Sequence, residues 1–98
     1  RKYIHLTAVF ACNFVNHLFS KAKEISDAQE IPFDYFLPLI DETVKKIHEI
    51  EPKFAQTGPA VRNDTRVLEL HEQLLKDESL EIYKTMNHSI KKMYSLDI

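Results

Sequence analysis

The sequence predicts an all-α fold, a bundle of four main helices in which a long first helix is mostly buried. Hydrophobic residues make up 44% of the 98 residues, which is typical of a packed globular domain. One glycine and four prolines are too few for the many turns of a β protein. Apolar side chains recur at the spacing of one helix face in four segments. Residues 1–98 are therefore expected to form one helical domain.

The first predicted helix covers residues 2–25. At ~100° per residue, apolar side chains cover most of its circumference, which is typical of a central helix or of one that packs on a second subunit. We therefore expect a homodimer with Phe10, Phe14 or their neighbours at a helix–helix contact. The polar side chains of this helix fall in one stripe, formed by Lys2, His5, Asn13, Asn16, Ser20 and Lys23.

The second predicted helix covers residues 33–50, with Asp34 as its expected N-cap. Pro38 then lies near the first turn, where its missing N–H costs little. A kink at Pro38, or a helix that begins there, are the alternatives. Pro52 is expected to end this helix, because the residue before a proline avoids the α-helical conformation.

Residues 53–63 form the one long irregular stretch, and they contain Gly58, the only glycine. Asn63 or Asp64 is expected to cap a third helix that ends near Lys76.

The fourth predicted helix is expected to have Ser79 as its N-cap. The tail that follows it, residues 95–98, is expected to be frayed. The apolar side chains that the pattern directs inward are Leu80, Tyr83, Met86, Ile90 and Met93.

Charge and composition argue against nucleic acid and a membrane as partners. The formal net charge is −2 without a basic stripe, which argues against nucleic acid. No apolar run approaches the ~18 residues that span a membrane. The lone Cys12 lies in an apolar run and is expected to be a buried thiol, and a cytoplasmic location is expected. Because the sequence begins at Arg1 without Met and runs directly into a helix, an excerpt from a longer protein is also expected.

Two kinds of site are not expected in this chain. A dinucleotide phosphate site needs several glycines at a strand-to-helix turn, so Gly58 alone predicts that the chain by itself binds neither NAD nor NADP. The five histidines lack the spacing that places two metal ligands on one helix face, so no metal site is predicted.

Three features could carry chemistry. His5, Asn13 and Asn16 form a polar wall or simply a solvent face, and the pattern favours neither, although exposed helix positions usually prefer Glu, Lys, Gln or Arg. The loop with Gly58 and Arg62 could bind an anion beside a helix N-terminus. A plain helix connection is the more common function of such a loop.

His71 is the third feature, and it lies on the apolar face of the third predicted helix. A hydrogen-bonded core histidine is the more common outcome for such a position.

A family resemblance extends over nearly the whole chain. Residues 5–18 resemble the opening helix of the C-terminal domain of unknown function 2520, and residues 56–64 are similar to the most recognisable loop of that family. Residues 32–43, His71 and Tyr83 also match the family's pattern. One departure is Asn63, where relatives often have glycine, but asparagine tolerates a positive φ.

The resemblance implies a fold, a cofactor and partners. Such domains follow an N-terminal Rossmann domain that binds NAD or NADP, in proteins similar to pyrroline-carboxylate reductase. The helical part is then similar to the C-terminal domain of 6-phosphogluconate dehydrogenase, forms a homodimer and walls a cleft for a small-molecule substrate. The candidate substrate-binding residues implied here are His5, Asn13, Asn16, Thr57, Gly58 and Arg62. The alternative is a free-standing helical module that binds another protein.

Overall fold

The computed structural model describes residues 1–96, and every regular element in this part of the chain is helical. The predicted all-α class is confirmed. Asp97 and Ile98, the end of the tail expected to be frayed, lie outside the described residues. The chain divides into two compact units, Arg1–Val44 and Lys45–Ile98.

The first helix is continuous but irregular. Helix α1 (Lys2–Ala8), a π-helical segment (Val9–Asn13) and helix α2 (Phe14–Ala28) follow one another without a break. A π turn holds one residue more than an α turn, so it rotates all later side chains by about 100° relative to a regular helix. The predicted helix over residues 2–25 is confirmed in extent. The prediction that its side chains follow one another at ~100° per residue along its whole length is wrong at the π-helical segment.

The first helix is exposed within a single chain, so its predicted burial is not found there. Tyr3 and Ile4 are 70% and 75% exposed, and of residues 2–28 only Ser26 is buried. Cys12 is also exposed, where a buried thiol was expected. The physical reason is that the first unit has only one other helical segment, residues 33–44, and one helix can cover only one side of another.

Helix α2 ends in a closed turn. Glu30 adopts a left-handed conformation with φ of 56°, and the N–H of Ile31 donates to the C=O of Ser26 at 2.8 Å. This pattern satisfies a carbonyl that the helix end would leave unpaired and reverses the chain direction.

The second main helix, α3 (Leu37–Glu49), begins one residue before Pro38, after a 3-10 segment (Phe33–Phe36). The expectation of an Asp34 N-cap is wrong, since Pro32 precedes the 3-10 segment and no side chain caps it. The alternative of a helix that begins at the proline is close to what is found.

The second unit contains a short helix α4 (Pro52–Ala55), helix α5 (Thr65–Leu74) and helix α6 (Asp77–Met93). Pro52 therefore follows the end of α3 and also starts a new helix. The buried hydrophobic residues of this unit are Leu68 and Ala60, and neither was predicted to form the core. Of the side chains predicted to point inward, Leu80, Tyr83 and Ile90 are half-buried. The prediction is wrong for Met86 and Met93, which are 43% and 60% exposed. The Tyr94 hydroxyl donates to the C=O of Lys53, which ties the end of α6 to α4.

The two predicted helix caps have different outcomes. Asp64 caps α5 as expected, because its Oδ1 accepts from the N–H of Val67 at 3.3 Å. Ser79 does not cap α6, which begins two residues earlier at Asp77. The carboxylates of Asp77 and Glu78 lie in the first turn of α6, where they interact favourably with the positive end of the helix dipole.

Candidate functional site

The polar residues of the first helix are exposed, but they do not form one continuous stripe. His5 lies in α1, Asn13 ends the π-helical segment and Asn16 lies in the first turn of α2. Because of the π turn, Asn16 is rotated by about 100° from the position that a regular helix predicts relative to His5. None of the three side chains is hydrogen-bonded to another described residue, so their donors and acceptors are free to meet a ligand or water.

The π-helical segment is the feature of this helix that sequence reasoning missed. Such segments recur at functional sites, because they reorient side chains and leave backbone groups without their usual partners. Residues Val9–Asn13 carry no proline or glycine that would signal the irregularity.

The loop between α4 and α5 contains two residues whose backbone adopts the left-handed conformation. Gly58 has φ of 103° and Asn63 has φ of 53°, so the expectation that Asn63 supports a positive φ is confirmed. The N–H of Asn63 donates to the C=O of the buried Ala60 at 3.0 Å, and the N–H of Asp64 donates to the C=O of Pro59 at 2.9 Å. The loop is thus a closed turn held by backbone hydrogen bonds.

Arg62 extends from this turn into solvent, and no described residue forms an ion pair with it. Asp64 forms no ion pair with Arg62, and its carboxylate accepts from the N–H of Val67 at the start of α5. That carboxylate also occupies the helix N-terminus, so an anion would meet a negative charge there. The guanidinium of Arg62 is therefore the group of this loop that attracts an anion.

His71 and Tyr83 form a polar contact between α5 and α6. The His71 Nδ1 and the Tyr83 hydroxyl oxygen are 2.6 Å apart, and the two rings meet edge to face with centroids 5.7 Å apart. Both residues are half-buried. The expectation that His71 is a hydrogen-bonded histidine on an apolar face is confirmed.

Comparison with known proteins shows the family of this chain. Residues 1–90 match the family model described as "Domain of unknown function (DUF2520)". The chain belongs to this family. A crystal structure from Bacteroides fragilis, described as a putative NADP oxidoreductase, is 48% identical to this DUF2520 chain and has a TM-score of 0.90. The match covers 94% of this chain and 36% of the other, so this chain spans just over a third of that protein. No curated protein matches the chain significantly.

The six candidate residues of this DUF2520 chain fall into two groups. His5, Asn13 and Asn16 belong to the first unit, and Thr57, Gly58 and Arg62 belong to the second. Within residues 1–96, no cluster of three or more His, Cys, Asp or Glu side chains could hold a metal ion. No helix in the same part of the chain is long and apolar enough to cross a bilayer.

Gly58→Ala is expected to lower the free energy of unfolding by about 1 kcal/mol, since a left-handed φ of 103° strains any residue with a Cβ. The cost comes from the backbone alone, because an added Cβ would meet no atom within 4 Å. Urea denaturation measures it. The matched control is Asn63→Gly, which relaxes the other left-handed residue and should not destabilise the chain. An unchanged midpoint for Gly58→Ala would contradict the prediction.

Tyr83→Phe is expected to lower the free energy of unfolding by about 1 kcal/mol, because it leaves the half-buried His71 ring nitrogen without its partner. Thermal denaturation followed by circular dichroism measures the change. Tyr35→Phe is the control, since Tyr35 is 69% exposed and its hydroxyl can bond to water. Equal losses in the two variants would show that the His71–Tyr83 contact adds no stability.

Proposed function

We propose that this chain is the C-terminal substrate and dimerisation domain of an NADP-dependent oxidoreductase. The observation that carries the proposal is the 48% identity, over 94% of the chain, to the protein described as a putative NADP oxidoreductase. Nearly two-thirds of that protein lies outside the match, which leaves room for a separate domain of typical size. A nucleotide-binding Rossmann domain in that region would supply the glycine-rich turn that this chain lacks.

In this arrangement NADP supplies the hydride chemistry, and the helical chain holds the substrate. Arg62 is the group best suited to bind it, because its exposed, unpaired guanidinium can form a bidentate contact with a carboxylate or phosphate. In the first unit, the exposed side chains of His5, Asn13 and Asn16 are separate candidates for hydrogen bonds with a polar ligand. We therefore infer a small anionic carbonyl or imine compound as the substrate class.

The test is NADPH consumption by a polypeptide in which this chain follows the nucleotide-binding domain. A panel of carbonyl and imine compounds, each with and without a carboxylate or phosphate, is screened by the loss of absorbance at the nicotinamide band. Turnover with an anionic member is expected, and deletion of the helical chain should abolish it while nucleotide binding persists. Absence of both NADPH binding and turnover would contradict the proposal and favour a helical module that binds another protein.

A further inference from the structure

The first unit exposes both a ridge and a groove, and we propose that two copies of the chain bind each other through them. The aromatic ridge is the pair Phe10 and Phe14, and the apolar groove lies between α2 and residues 33–44. The ridge of each copy fills the groove of the other. This interface deepens the dimerisation part of the proposed function and rests on it.

The apolar groove has a volume of about 300 Å³, and its lining includes Val15, Phe19, Phe36, Leu39 and Thr43. Thr43 has the one side-chain hydroxyl of the lining, and it donates to the C=O of Leu39 at 2.8 Å. The lining side chains therefore offer an occupant no free hydrogen-bond donor. Sites for polar metabolites need a few placed polar groups, so this groove suits an apolar protein side chain and not a substrate or nicotinamide.

The aromatic ridge has the complementary character. The rings of Phe10 and Phe14 meet edge to face, with centroids 4.9 Å apart and planes at 76°, although the side chains are 64% and 50% exposed. Each ring restrains the other, so the pair projects as one preformed apolar group. An exposed aromatic pair of this kind is typical of the anchor of a protein interface.

The ridge of a chain cannot fill the groove of the same chain. Phe14 precedes Val15 directly in α2, and Val15 lines the groove. Adjacent residues of a helix point about 100° apart, so the Phe14 side chain lies on a different face of α2 from the one that lines the groove. A second copy removes this obstacle, and a two-fold axis lets each ridge enter the other groove at once.

The available area is sufficient for a stable dimer. Thirteen large hydrophobic side chains of residues 1–44 are exposed, among them Leu6 at 51% and Leu39 at 64%. Together they offer on the order of 1,000 Å² of surface per copy, compared with about 800 Å² per partner in a standard stable interface. The first unit buries no large hydrophobic side chain on its own, so a second copy would complete its core.

The dissociation constant of the dimer, measured by sedimentation of residues 1–98, tests the interface. Phe14→Glu in the ridge and Leu39→Glu in the groove should each raise it at least about 100-fold, because each places two charges in an apolar contact. Both side chains are exposed in one chain, so helical content by circular dichroism should persist. The matched control is Leu74→Glu in the second unit, where Leu74 is 74% exposed, and it should leave the dimer intact.

Mixed disulfides test which surfaces meet. Phe10→Cys and Leu39→Cys are made separately in a Cys12→Ser background, then mixed and oxidised. The expected main product is the disulfide between the two variants. If the Phe10→Cys homodisulfide predominates, ridge meets ridge and the proposal is overturned.

The remaining outcomes separate this interface from the proposed function. A monomer at high micromolar concentration, or a Leu74→Glu variant that dissociates as strongly as the other two, overturns the interface. NADPH turnover by a monomeric enzyme leaves the proposed function standing without this interface. If Phe14→Glu and Leu39→Glu weaken the dimer but the protein does not oxidise NADPH, the interface is supported and the proposed function is contradicted.

Discussion

Calorimetric titration of residues 1–98 with NADPH is expected to show binding at least about 100-fold weaker than that of the proposed two-domain oxidoreductase, because this chain lacks the glycine-rich turn that holds the pyrophosphate. Its one glycine, Gly58, lies in a loop between helices and not between a strand and a helix. The N-terminus of α5, the helix that follows this loop, also carries the Asp64 carboxylate, which repels a phosphate.

The control for this titration is the two-domain protein under the same salt and pH, since both proteins carry identical residues 1–98. NADH is titrated in parallel, and the chain alone should bind neither nucleotide. Micromolar affinity in the chain alone would contradict the assignment of the cofactor to another domain.

Arg62→Lys is expected to lower kcat/KM of the proposed two-domain enzyme about ten-fold or more, because lysine cannot reproduce the bidentate contact of a guanidinium with a carboxylate or phosphate. The melting temperature should change little, since Arg62 is exposed and forms no ion pair with a described residue. Steady-state kinetics with the anionic substrate and thermal denaturation are measured on the same variant.

Arg66→Lys provides the matched control, because Arg66 is an exposed arginine in the first turn of α5. It should retain both turnover and stability. A lower melting temperature for Arg62→Lys with unchanged kcat/KM would show that Arg62 stabilises the loop, and it would then leave the list of substrate-binding residues.

Several features of this chain follow from local sequence. The Asp64 cap depends only on a short carboxylate placed just before a helix, and it is found. Likewise Asn63 takes a positive φ because its short polar side chain tolerates that conformation. The four main helices follow from apolar periodicity, since each needs only its own face to be apolar. Family membership was also recognisable, because the motifs of the first helix and of the loop around Gly58 are each continuous in sequence.

The rest was decided by the tertiary structure. The π turn in Val9–Asn13 changes which backbone groups pair, and no residue type there signals it. Regular periodicity therefore predicted a continuous polar stripe from His5 to Asn16, which the structure does not contain. Similarly, the groove exists only because two helical segments distant in sequence pack side by side.

Burial was the least predictable property of the first helix. Apolar periodicity places Phe10 and Phe14 on an apolar face of the helix. It does not show whether the same chain or a second molecule covers that face. The sequence alone therefore determined the helices, their family and the candidate residues. Only the tertiary structure showed that one chain leaves the first helix uncovered, because burial depends on which surfaces lie within reach.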